Sequence, residues 1–263
     1  VGPGQKDFRM FRDFASKVAH DAGILLKNKL HRKNRVDYKG RVNLVTEADL
    51  ASEKLITRII QREFPLHSIL AEEEAEVERK SDYRWIVDPL DGTTNYAHGF
   101  PVFCVSVGLE YRGEVIAGAV YDPLREEMFS AAKRMGASLN RKRIKVSTER
   151  RLERSLLATG FPYDIGSSRE NNLRYFNRFA PKVQGIRRAG SAALDLCYLA
   201  CGRFDGFWEL KLSPWDSAAG HLIVKEAGGK VTDFSGKKYS IYDKYILASN
   251  GRIHNQMVRV LAG

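Results

Sequence analysis

The sequence predicts a mixed α/β protein, with antiparallel strands concentrated in its first half and strands alternating with helices in its second. Three observations carry this. Two amphipathic helical segments open the chain, short alternating apolar runs separated by turn signals fill residues 102–146, and strand-like and helix-like segments alternate beyond about Thr148.

Taken in order, Phe8, Phe11, Ala15, Val18, Ala22 and Leu25 recur at intervals of three and four, so residues 7–30 form an amphipathic helix. Residues 31–43 are polar and basic with Gly40 inside them and read as a loop or hairpin, from which Lys39 could reach a site. Thr46-Glu47-Ala48-Asp49 has the form of a capping box, which gives Asp49 a purely structural reading; the helix it opens runs through Leu55 and Ile59 to Phe64-Pro65. Ser68-Ile69-Leu70-Ala71 then meets Glu72-Glu73-Glu74, either a strand delivering acids at its end or a solvated acidic loop.

The run Trp85-Ile86-Val87-Asp88-Pro89-Leu90-Asp91-Gly92-Thr93-Thr94-Asn95 is an apolar strand ending in two carboxylates, followed by a turn of small residues at a helix start. Strands are expected at 102–110, 115–121, 128–131 and 144–146, with turns at Arg112-Gly113, Asp122-Pro123 and Asn140. The second half reads as strand 156–159, helix 170–179, strand 186–188, helix 191–200 and strand 207–210. A helix opened by Pro214-Trp215-Asp216 and closed at Gly228-Gly229 follows, then strands at 230–232 and 245–248 and a last helix. Residues 1–148 are expected to form an α+β half holding the antiparallel sheet. Residues 149–263 are expected to form an α/β half, the two making one continuous unit.

At 263 residues the chain can bury a full core, and 43% hydrophobic with 29% charged residues is the balance of a soluble globular protein. No apolar run approaches the roughly 20 residues of a membrane span. The first residues contain no apolar signal core, so a cytoplasmic location is expected. Cys104, Cys197 and Cys201 lack Cys-x-x-Cys spacing, which argues against a disulfide framework or zinc knuckle; the last two share a helix face. A net charge of +11 attracts anions, whether phosphorylated metabolites, nucleic acid or an acidic protein. Its clusters at 27–33, 141–145 and 187–188 are not interleaved with aromatics and read as solvated surface.

Chemistry concentrates at Asp88 and Asp91. Taken alone, Asp-Pro-Leu-Asp-Gly is compatible with an ordinary turn. It also suits phosphate-ester hydrolysis, where two Mg²⁺ about 3.5–4 Å apart activate water and neutralise phosphoryl oxygens. Such hard cations require oxygen ligands. Acids at Glu72, Asp49 and Asp216, each at a strand end or helix start, favour the second reading. Ser106 and Ser191 lack a Gly-x-Ser-x-Gly context and no His-x-x-x-His pair occurs, so His98 and His221 are expected to pack and not to ligate metal.

On the 85–95 run, on Trp215-Asp216-Ser217-Ala218-Ala219-Gly220 with Glu226-Ala227-Gly228-Gly229, and on Leu44 to Asp49, Ala71-Glu72-Glu73 and Gly190 to Asp195, the chain resembles the inositol monophosphatase family. That family belongs to a lithium-sensitive, magnesium-dependent phosphatase superfamily with the fructose-1,6-bisphosphatases. The resemblance covers nearly the whole chain and implies a layered αβαβα sandwich. It implies that Glu72, Asp88 and the Leu90 carbonyl hold one Mg²⁺ and that Asp88, Asp91 and Asp216 hold a second, with Glu72 and Asp49 near a weaker third. Thr93, oriented by Asp49, would position the attacking water. Gly92 and Thr93 would meet the phosphate, beside Asp91 and Asp216, while Glu209 and the Ala192 backbone would contact hydroxyls of the leaving alcohol. Lys39 corresponds to a loop lysine near the metals. Ala71 departs from the usual glycine, and the segment around Lys211 and Ser213 varies among relatives.

The implied activity is Mg²⁺-dependent hydrolysis of a small phosphorylated metabolite, myo-inositol monophosphate first, by a lithium-sensitive homodimer. Fructose 1,6-bisphosphate is the alternative substrate, with Arg169, Arg187 and Lys211 available to a second phosphate. An alternative of another class is a protein that binds RNA or a transcription complex on a phosphatase scaffold.

Overall fold

A computed structural model describes residues 3–30, 36–38, 44–74 and 76–263. Helix α1 (Gln5–Lys29) turns Phe11, Ala15, Val18, Ala22 and Leu26 inward, as its three-and-four spacing requires. Strands β1 (Val36–Tyr38) and β2 (Leu44–Thr46) pair antiparallel, Val36 opposite Thr46. Lys39, between them in sequence, lies outside the described residues. Helix α2 (Glu47–Glu63) starts at the Thr46 cap and stops at Phe64, before Pro65.

The first sheet has seven strands in sequence order: β3 (Ser68–Ala71), β4 (Tyr83–Asp91), β5 (Cys104–Tyr111), β6 (Glu114–Asp122), β7 (Glu127–Ala132), β8 (Ala137–Leu139) and β9 (Lys142–Arg143). Only β3 and β4 run parallel; the rest is the expected antiparallel meander. A short helix α3 (Thr93–Ala97) follows β4 directly.

The remaining elements are β10 (Leu156–Thr159), α4 (Leu173–Phe179), β11 (Gly185–Arg187), α5 (Ala192–Ala200), β12 (Gly206–Leu210), α6 (Pro214–Glu226), β13 (Lys230–Thr232), β14 (Tyr245–Ser249) and α7 (His254–Ala262). Their strands form a second sheet in the order β11-β10-β12-β14-β13, parallel at β10 with both neighbours and antiparallel beyond.

Helices α1 and α2 cover one face of the first sheet, α5 and α6 lie between the sheets, and α4 and α7 cover the outer face of the second. These are the five layers of an αβαβα sandwich. Side chains alternate across β4 accordingly: Trp85 and Val87 join the cluster under α1 and α2, whereas Ile86 joins the central one. Helix α6 sits against the first sheet so closely that a Cβ on Gly118 would fall 2.9 Å from the Ala219 Cα. Only glycine leaves that room.

Two expectations are corrected. Residues 144–146 are not a strand: Ile144 and Val146 do face the central core, but the Val146 N–H bonds the Ala227 carbonyl at the end of α6 and no neighbouring strand. Alternating burial on a crossing segment reproduces a strand's pattern. The helix expected from 170 begins at Leu173, because Asn172 turns its amide onto the Thr159 hydroxyl and Gly160 carbonyl. No described helix is long and apolar enough to cross a membrane.

Candidate active site

A cleft of about 520 Å³ opens where the end of β4, the N-termini of α5 and α6, the end of β12 and the loop after β10 meet. Glu72, Asp88, Leu90, Asp91, Gly92, Thr93, Ala192, Glu209 and Asp216 all line it. Segments separated by over a hundred residues in sequence are thus brought together around one space.

The end of β4 is shaped by a bulge. Asp88 pairs with Ser106 and Asp91 with Cys104, so three steps on β4 oppose two on β5. Pro89, which has no N–H to give a ladder, occupies the irregularity. The Leu90 N–H turns back onto Asp88 Oδ1 at 3.0 Å. Gly92 follows at φ 98° and caps α3; a side chain there would be strained, and its Cβ would meet the Val102 carbonyl at 2.9 Å. Asn95 then ties α3 to the segments before β5 and α5, donating to the Val102 carbonyl at 2.7 Å and the Ala189 carbonyl at 2.8 Å.

Asp49 does not line the cleft but supports it from behind. Its Oδ2 accepts the Thr46 N–H, the capping-box bond expected from sequence, and also the Thr46 hydroxyl, while Oδ1 lies 3.0 Å from the Thr93 hydroxyl. That hydroxyl is also 3.1 Å from the Leu90 carbonyl, and its single proton serves one acceptor at a time. Asp91 Oδ2 accepts the Ser191 hydroxyl at 2.7 Å and the Ala193 N–H at 2.8 Å, which ties β4 to the start of α5. Asp216, in the first turn of α6, accepts the Ser213 N–H at 2.7 Å.

Burial first, and then the repulsion of Glu72, Asp91 and Asp216, holds the Asp88 carboxyl well above the ordinary range. Asp216 is raised well above it by burial and then by Asp91. Asp91 is raised to about 6 by burial, against its bonds from Ser191 and Ala193. Glu209, near the end of β12, is pushed to about 8 by burial and by Asp91. Every donor here is oxygen, the ligand type of hard divalent cations, and buried acids that repel one another are relieved by positive charge. Among the described residues no three His, Cys, Asp or Glu side chains already converge as a closed metal cage; the acids stand around the walls of the cleft. In its donor chemistry the site fits hard cations.

Several cleft residues escape sequence reasoning. Ser191 and Asp195 lie within the Gly190 to Asp195 block, but the sequence assigns no role to either. Asp195 is 1% exposed, lines the cleft, and leaves Oδ1 with no hydrogen-bond partner. Arg188 lines the rim, whereas Arg187 donates to its neighbour's carbonyl outside the cleft and Arg169 does not line it either. Lys211 does line it, its ammonium bonded to Asp164 at 2.6 Å and Ser168 at 2.9 Å. His98 is exposed and His221 is packed against Tyr239, neither reaching the cleft.

A model of the inositol monophosphatase family matches residues 7–262. The chain belongs to that family. It is 44% identical over 258 residues to the inositol-1-monophosphatase of Synechocystis sp., covering 97% of this chain and 90% of that protein. It is 40% identical over 256 residues to the Nus factor SuhB of Pseudomonas aeruginosa, covering 95% and 94%. The solved structure of an inositol monophosphatase from Anabaena superposes with a TM-score of 0.90 at 46% identity, over 97% of this chain and 96% of that one. As a member of the inositol monophosphatase family with this fold and this acid-lined cleft, the chain is a phosphatase.

Proposed function

We propose that the chain hydrolyses small phosphate monoesters with Mg²⁺, two to three ions, and that myo-inositol monophosphate is its first substrate. The observation that carries this is the gathering of Glu72, Asp88, Asp91 and Asp216 around one cleft. Glu72, Asp88 and the Leu90 carbonyl are assigned to one ion, and Asp88, Asp91 and Asp216 to the second, with Glu72 and Asp49 near a third. Bound Mg²⁺ neutralises charge on the phosphoryl oxygens and makes water acidic enough to act at neutral pH.

The chain's own residues do the rest. Thr93 Oγ1 gives its proton to Asp49 Oδ1 as it accepts one from the attacking water. Without metal, burial lifts the Asp49 carboxyl above its ordinary range, against its hydrogen bonds from Thr46 and Thr93. Gly92 and Thr93 present N–H groups to the phosphate. Glu209 and the Ala192 backbone orient the hydroxyls of the alcohol. Lys211 and Arg188, both on the cleft wall, support fructose 1,6-bisphosphate as the alternative substrate.

Phosphate release should be measured on inositol 1-phosphate, fructose 1,6-bisphosphate and adenosine 3',5'-bisphosphate, with Mg²⁺ and with a chelator. Turnover highest on the first and abolished by the chelator is expected; no turnover on any of them sinks the reading. Half-inhibition by millimolar Li⁺ and a homodimer by light scattering belong to the same proposal.

A second reading is favoured by the relatives named Nus factor SuhB, in Haemophilus influenzae as well as P. aeruginosa. On this reading the scaffold also binds a transcription-complex partner. Asp91→Asn should then abolish hydrolysis and leave partner capture intact; loss of both together counts against a separate binding role.

A further inference from the structure

Helix α2 sends three buried polar side chains toward the site. Asp49, Ser52 and Glu53, three and four positions apart, share one face of the helix, and each is fully buried. A buried carboxylate keeps its place only when its oxygens are partnered. Asp49 reaches Thr93, as described. Ser52 Oγ donates to the Pro89 carbonyl at 2.8 Å, inside the bulge that separates Asp88 from Asp91. Glu53 Oε2 accepts the Glu73 N–H at 2.9 Å and its Oε1 the Glu74 N–H at 2.6 Å.

The Glu53 contacts fall where the sheet provides none. The ladder between β3 and β4 ends at Ala71 opposite Val87, so the backbone carrying Glu72 leaves the sheet one residue before that side chain. The N–H groups that follow would otherwise turn to water. A carboxylate accepting two backbone N–H groups makes charge-assisted bonds about twice as strong as neutral ones. Ser52 meanwhile fixes the one carbonyl in the bulge that belongs to a residue without an N–H.

We propose that Glu53, with Ser52 beside it, is a positioning residue: together they hold the Glu72 segment and the Asp88 bulge at a fixed separation, so that divalent cations meet carboxylates already spaced to receive them. This rests on the assignment of Glu72 and Asp88 to Mg²⁺ made above. In Glu53→Gln the shape is kept, but one acceptor becomes an NH₂ facing a backbone N–H.

The test is calorimetric titration with Mg²⁺ of the wild-type chain, Glu53→Gln and Ile56→Val, with urea unfolding of each in the absence of Mg²⁺. Ile56 is a buried apolar neighbour on the same helix, so its variant loosens α2 without touching either contact. Glu53→Gln should weaken Mg²⁺ binding by roughly 10–100-fold, the range seen when partners of metal ligands are lost. The Mg²⁺ needed for half-maximal hydrolysis should rise equally, with KM for inositol 1-phosphate at saturating Mg²⁺ unchanged and Ile56→Val binding Mg²⁺ as wild type does. A folded Glu53→Gln with wild-type Mg²⁺ affinity overturns the proposal, as does an equal loss in Ile56→Val. If Glu53→Gln does not unfold cooperatively, Ser52→Ala decides: a loss of at least about threefold in affinity, the worth of one hydrogen bond, supports the proposal and no loss overturns it. A wild-type chain that takes up no Mg²⁺ overturns the magnesium assignment itself, and this inference with it.

Discussion

At the scale of single residues, the site depends on carboxylates whose charge is held in check by named partners. Asp91 is the clearest case, since its Oδ2 takes both the Ser191 hydroxyl and the Ala193 N–H. Ser191→Ala should cost about 1.5–3 kcal/mol of stability, the usual worth of a hydrogen bond to a charged group, read from urea unfolding, and should lower activity by loosening Asp91. Thr93→Ala should lower kcat by about 10²–10⁴, the range for loss of a proton-transfer group, while Thr93→Ser keeps most of it. Glu209 gives a pH signature. Its folded carboxyl stays protonated to about 8 while the unfolded one ionises near its ordinary value of 4.5, so the folded state holds the extra proton between them. Stability without Mg²⁺ should therefore fall as pH rises through that window. Glu209→Gln removes the fall, so its urea midpoint should exceed that of the wild type at pH 8 by more than at pH 5. An equal difference at both pH values would show that Glu209 ionises normally.

At the scale of elements, the decisive contacts are helix on sheet. Gly118→Ala should cost about 1–3 kcal/mol by overpacking against Ala219 and, by pushing α6, should displace Asp216 and reduce activity; thermal unfolding and phosphate release check the two parts separately. Elements were legible wherever one local rule spoke alone. The Thr46 box marks the start of α2, and Phe64-Pro65 its end, within a residue. The 144–146 segment misled because inward alternation says nothing of where its N–H groups go, and Val146 spends its own on Ala227. In the site, acids at strand ends and helix starts were visible. Glu53 was not: an acid on the buried face of an amphipathic helix is a signal in principle, but its partners are backbone groups twenty residues away. Asp49 shows the same limit, since one of its oxygens makes the local cap and the other reaches forty-four residues forward to Thr93.

At the scale of the whole molecule, two buried imidazoles give a pH dependence opposite to that of the cleft acids. His221 and His254 are both buried, and burial first, with Lys225 and Lys230 respectively, lowers each to about 4. Both ring nitrogens of His254 are engaged, one with Thr232 at 2.9 Å and the other with Ser249 at 2.8 Å. The unfolded state takes up these protons near pH 6.5 and the folded state only near 4, so each imidazole's contribution to stability falls as pH drops between those values, by up to about 1.4 kcal/mol per pH unit, against the opposite slope of Glu209 and the other buried acids. Urea midpoints from pH 7 to 4 read this by difference: His254→Gln should gain on the wild type as pH drops, and a difference that does not change with pH would exclude His254 as a cause. The same packing shapes how the chain can change over generations. Eight consecutive residues of α6, Ser217 to Val224, are buried between the two sheets, directly after Asp216. A helix with no free face offers few positions where a substitution passes unnoticed, so mutational tolerance should collapse across α6 while the outward face of α1 accepts nearly anything polar. The cleft's loop residues, such as Arg188 and Lys211, are left as the place where the phosphatase can acquire a new substrate without first rebuilding its core.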